Sequence, residues 1–272
     1  MTRHTPDNGQ FVTVATGKWN GSNLRFAGTS SAAGQTPSVI FIGRNSLTNL
    51  ADNATTGTAG YGAINLAPGV ALTTTGLTVS AATLWLNELP GSSVTFAGDS
   101  RISNGGTLTA TGYADTGIYN VSGTMTIDGT STVNMDDVAV TGTGTIHLTG
   151  ESALLRVGNV GAGETVVLDG GMLSLTDSMK FLGTITDSAP GSSRIGPISS
   201  VGVYNTLGAV RETFSETTGV LNLFNAHGGE VAHLKFAGTG DLYAVPTSGL
   251  ATNFLLITPH PSAAALPVTF TN

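Results

Sequence analysis

Polar and apolar residues alternate with the period of a strand in three short phrases of this chain. They are Thr124-Met-Thr-Ile-Asp-Gly129, Thr145-Ile-His-Leu-Thr-Gly150 and Thr165-Val-Val-Leu-Asp-Gly170. Alternation of this kind marks a half-buried strand. The closing glycines stand 21 residues apart from Gly129 to Gly150, then 20 apart from Gly150 to Gly170. A strand phrase repeated at about 20 residues predicts a stacked solenoid, because one coil alone cannot bury its apolar face. Laid in register, the phrases predict two interior columns: Met125, Ile146 and Val166, then Ile127, Leu148 and Leu168. The outward columns read Thr124, Thr145, Thr165; Thr126, His147, Val167; and Asp128, Thr149, Asp169.

A second strand is expected after each glycine, at Thr132-Val-Asn-Met135, Ala153-Leu-Leu155 and Met172-Leu-Ser-Leu175. Weaker copies of the phrase close at Gly98 and Gly112 with irregular spacing. Phe-Ala-Gly recurs at Phe26, Phe96 and Phe236, each predicted to plug the core ahead of a turn glycine. The expected organisation has four parts. Residues 1–62 form an N-terminal tail and capping strands, and 63–187 the solenoid repeats. Residues 188–204 form a linker, and 205–272 a β-rich C-terminal capping module. In the last of these, Val220–Phe224 and Glu230–Phe236 flank a hairpin turn at Asn225-Ala-His-Gly-Gly229. The fold class expected is all-β: a parallel β-solenoid, right-handed β-helix-like, with that cap.

Composition agrees with strands and turns. Glycine occurs 38 times in 272 residues and charged residues make up only 10%, against a usual charged share of roughly 25%. The exposed positions of the phrases are Thr, Ser, Asn and Gly in place of the Lys and Glu of surface helices. A net charge of −7 with 10 Lys plus Arg argues against a nucleic-acid partner, which needs clustered positive charge. No apolar run reaches the roughly 18 residues of a membrane-crossing helix, so no membrane span is expected. Cysteine is absent, which excludes disulfides and thiolate metal sites. The first ten residues lack the apolar stretch of a secretory signal. Export would then follow removal of a leader, a leaderless route, or action within a particle such as a phage.

The phrases Gly-Thr-Met-Thr-Ile-Asp-Gly and Gly-Thr-Ile-His-Leu-Thr-Gly resemble the coils of autotransporter passengers and other bacterial surface adhesins built as right-handed β-solenoids. This covers roughly residues 63–184. Residues 205–259, with Val-Leu-Asn-Leu-Phe and Leu-Lys-Phe-Ala-Gly-Thr-Gly-Asp-Leu-Tyr, resemble C-terminal modules of large exported proteins of alphaproteobacteria. The resemblance implies an exported, extended protein, secreted or at the cell surface, that engages surfaces or glycans. The same coil motif is shared by polysaccharide lyases and phage tailspikes.

Candidate chemistry is sparse. Asp128 and Asp169 share a column two coils apart, about 9.5 Å by strand spacing, at the outer limit of an inverting glycosidase pair. Asp-Gly also simply favours a turn, and Thr149 interrupts the column. Asp136 and Asp137 are adjacent, so a continuous strand would send them to opposite faces. His227 and His233 flank the C-terminal hairpin without a third ligand. No nucleophile elbow, phosphate loop or zinc-protease pattern occurs. The reading is therefore a non-enzyme without cofactor or metal. Trp19, Trp85 and His147 are the candidate glycan contacts. Leu266, Val268 and Phe270, in an apolar C-terminal run, are the candidate assembly strand. The expected partners are further copies of the chain and surface glycans. The expected role is structural or adhesive, at a bacterial surface or in a biofilm matrix. The alternative is a tailspike-like trimer that grips or cleaves polysaccharide.

Overall fold

The computed structural model describes residues 2–29, 35–53, 60–112, 117–150, 152–169, 171–187, 200–204, 209–215, 217–237, 241–246 and 254–260. The regular secondary structure among them is entirely β. Each coil visits three faces in turn. Taking one coil, Ala82–Glu88 lies on face B, Ser93–Phe96 on face C and Ser100–Ser103 on face A. In the next coil Thr107–Thr111, Ile118–Val121 and Thr124–Asp128 pair in parallel with strands of those same faces. The chain is a parallel β-solenoid.

Seven coils carry face A from Leu24 through Leu50, Leu77, Ser100, Met125, Ile146 and Val166 to Ile185. The first two coils are 26 and 27 residues long and the last three 21, 20 and 19. This drift explains why the repeat is visible only from Thr124 onward. Parallel pairing begins at Arg3–His4, which stacks on Asn23 and Leu24, well before the Ala63 start expected from the repeat. Phe11–Val14 likewise pairs in parallel with Ser38–Phe41. The early coils escape the repeat because longer corners separate their strands.

Both predicted interior columns are fully buried, and the register is the one the phrases imply. Stacking like side chains every ~4.8 Å makes one continuous apolar rod. Each fully buried Leu, Ile or Val on it stabilises the fold by about 1.5–3 kcal/mol. Phe26, Phe96 and Phe236 all point inward. They are not equivalent, however: Phe26 and Phe236 lie on face A and Phe96 on face C. At Gly98 a side chain is excluded because a Cβ would strike the Thr75 carbonyl; the backbone there needs no positive φ. Gly123 and Gly144 continue this corner, each crowded by the carbonyl of the glycine one coil before it.

The C-terminal strands end the parallel stack. Glu230–Ala237 pairs in parallel with Thr184–Asp187, then antiparallel with Val220–Asn225, which pairs antiparallel with Ala209–Ser215. The expected turn joins the hairpin, with the Asn225 side chain accepting from the His227 and Gly229 amides at 3.0 and 2.9 Å. On face B, Ser200–Tyr204 pairs in parallel with Met172–Leu175, so a stretch expected to be linker is a strand. Phe254–His260 follows antiparallel, with Asp241–Pro246 beyond it. The rest of the expected linker, 188–199, lies outside the described residues.

Candidate functional site

Face B carries the one outward aromatic pair of the solenoid among the described residues. Leu84 and Leu86 face the core, so alternation turns Trp85 outward between them. One coil earlier the same rule exposes Tyr61 in Gly60–Leu66. The two rings stack with centroids 6.0 Å apart and planes 14° apart. Beside them runs a line of hydrogen bonds across successive coils. The Thr111 hydroxyl donates to Asn87 Oδ1 at 2.7 Å, the Asn87 amide to Asn65 Oδ1 at 2.9 Å, and the Asn65 amide to Ser38 Oγ at 2.6 Å. Each side chain fixes the rotamer of the next, so this border of the aromatic pair is held rigidly.

The other sequence candidates are placed differently. Trp19 is 6% exposed, stacked on His4 at 4.1 Å and set edge-on to Phe41 at 5.8 Å. Its amide donates to Asn45 Oδ1 at 3.0 Å. It fills the first coil and offers no ring face to a glycan. His147 lies on face A between Thr126 and Val167, with Nε2 buried and without a hydrogen-bond partner. Leu266, Val268 and Phe270 lie outside the described residues.

Two of the acidic candidates are held in ion pairs. Asp128 is held by Arg101 on the neighbouring coil at 2.5 Å, and Asp136 by Arg156 at 2.8 Å. Asp136 and Asp137 both turn outward, because the register shifts between Met135 and Ala139 where one strand rounds the corner from face B to face C. His233 is engaged by Glu230 at 3.2 Å. Among the described residues no group of three or more His, Asp or Glu could hold a metal.

Three buried carboxyls were not foreseen. Asp52 takes an inward place on face A between Phe26 and Val79, and burial pushes its pKa up to about 7, with the Arg25 guanidinium holding back part of the rise. Burial pushes Glu88 to about 8, opposed by the Ile118 amide and the Tyr119 hydroxyl, and Glu164 to about 7, opposed by the amides around Gly144 and Val121. The signal for all three was present in the alternation. Glu88 follows Leu84 and Leu86 on the inward phase, Asp52 follows Leu50, and Glu164 precedes Val166 and Leu168. Neither a protein-family model nor a curated protein matches the chain, so function must be read from this geometry.

Proposed function

We propose that the chain is an exported structural and adhesive protein of a bacterial surface or extracellular matrix, and that copies associate through their strand edges. The observation that carries this reading is the N-terminal edge of the solenoid. The Gln10 and Val14 carbonyls accept from the Ser38 and Ile42 amides, so by parallel alternation the main-chain groups of Phe11 and Thr13 point the other way. Among the described residues no strand lies beyond them, and Phe11 is 61% exposed. An unpaired edge of this kind is a template for another chain. Light scattering coupled to size exclusion tests it. A mass that grows with concentration is expected, and Thr13→Pro, which deletes an outward N–H, should hold the protein at its monomer mass. A wild-type protein that stays at 27.4 kDa at every concentration overturns the self-assembly in this reading.

A second reading, a trimeric polysaccharide-binding spike, draws on Ile42, Leu89 and Ile118. These are 56%, 46% and 43% exposed along the corner between faces B and C. An exposed apolar row along the rod favours lateral contact over end contact. A discrete mass of three chains, insensitive to Thr13→Pro, would select this reading.

A further inference from the structure

We infer that face B holds one pyranose ring of a neutral polysaccharide in a slot between Trp85 and Asn134, with Thr109 as its floor. The inference rests on the adhesive part of the proposed function and is independent of self-assembly. Trp85, Thr109 and Asn134 are in register on three successive coils. Two strand spacings separate the outer pair, about 9.6 Å from backbone to backbone. Stacked carbon contacts are best at about 3.5–4.0 Å, so the gap between the indole and the Asn134 amide admits one ring and is too narrow for two. Thr109 is small enough to leave that space open, whereas Tyr61 closes the other side of the indole.

The chemistry of the walls matches a sugar. A pyranose ring presents C–H groups on its faces and hydroxyls on its rim. The indole supplies a rigid apolar wall for a face. Thr107 flanks the slot on one side, and Asn87 and Thr111 flank it on the other; these groups stand where the rim hydroxyls would lie. Asn134 Oδ1 accepts from the Asp136 amide at 3.2 Å, which leaves its N–H donors for the ligand. The nearest charges, Arg156 and Asp136, are paired with each other at 2.8 Å. Asp137, next to Asp136, adds a negative charge, so the slot has no excess positive charge with which to select an acidic sugar.

The two tryptophans give a clean readout. In a Trp19→Phe background the emission comes from Trp85 alone. The probes are hexasaccharides of glucose, mannose, galactose and N-acetylglucosamine. At least one is expected to shift the emission saturably, with a dissociation constant of about 0.1–1 mM. Calorimetry on the otherwise wild-type chain should show that constant weakened at least tenfold by Trp85→Ala. Thr109→Phe, which keeps the indole and fills the slot, should do the same. Both substitutions are at half-buried outward positions, and an unchanged melting temperature shows that the fold is intact. Failure of all four probes to bind below 10 mM, on the same affinity scale, overturns the inference. So does affinity that survives both substitutions. Assembly is read by scattering and sugar binding by Trp85, so either can fail alone.

Discussion

Asp52, Glu88 and Glu164 put carboxyls where the alternation calls for apolar side chains, and the cost should appear in the pH dependence of stability. Their folded pKa values, about 7, 8 and 7, lie above the ordinary 3.8 and 4.5 of unfolded Asp and Glu. Raised values mean that the folded state holds protons the unfolded state releases. Stability is then fullest below about pH 4, falls as pH rises toward 8, and levels off above the folded pKa values. Asp52→Asn, which cannot ionise, should raise stability at pH 8 by about 1–3 kcal/mol and change it little at pH 4. Urea unfolding of both proteins at the two pH values checks this; an equal gain at each would show that the Asp52 charge is not the cause. The same scale shows what a local pattern can reveal. Trp85 was legible as outward because Leu84 and Leu86 flank it. Trp19 was not, because Gly17–Gly21 has no alternation and its anchor, Asn45, lies 26 residues away. Tyr61 reaches Trp85 only across a coil, a contact that no local pattern displays.

At the scale of the element, glycines serve two purposes that one sequence motif conceals. Gly129 ends its strand at φ +61° with open space where a side chain would go, so only the left-handed backbone demands it. Gly123 has an ordinary φ, but a Cβ there would collide with the Gly98 carbonyl one coil away. Gly129→Ala should then cost about 1–2 kcal/mol, and Gly129→Asn less, since Asn tolerates that conformation. Gly123→Ala must push two coils apart and should cost more, about 3 kcal/mol or above. Thermal melts of the three variants decide it, and equal losses at Gly123 and Gly129 would refute the distinction. The phrases at Thr124, Thr145 and Thr165 were legible as strands because their coils settle near 20 residues. The strands of face C were largely hidden. They fuse with a neighbour, as in Thr132–Gly142, or arise within bent strands such as Asn45–Asn53 and Ala71–Ser80.

Across the whole molecule the two ends of the rod differ, and a stack that touches only its neighbours should register that difference locally. Among the described residues no strand pairs with the N-terminal edge at Phe11 and Thr13, whereas faces A and B each finish in antiparallel strands at the other end. The hairpin buries Leu221, Leu223, Leu234 and Phe236 over the last face A strand of the parallel run. Its turn depends on Gly228 at φ +80°. Gly228→Val places a β-branched residue in a conformation that costs it about 1–2 kcal/mol, which should loosen the hairpin without touching the solenoid core. Hydrogen exchange should then accelerate across Val220–Ala237 and in the adjoining Thr184–Asp187, fade over the next coil, and remain unchanged at Leu24 and Leu50. Uniform acceleration along the chain would mean that the rod unfolds as a single cooperative unit, and that the hairpin secures the whole stack rather than its last coil.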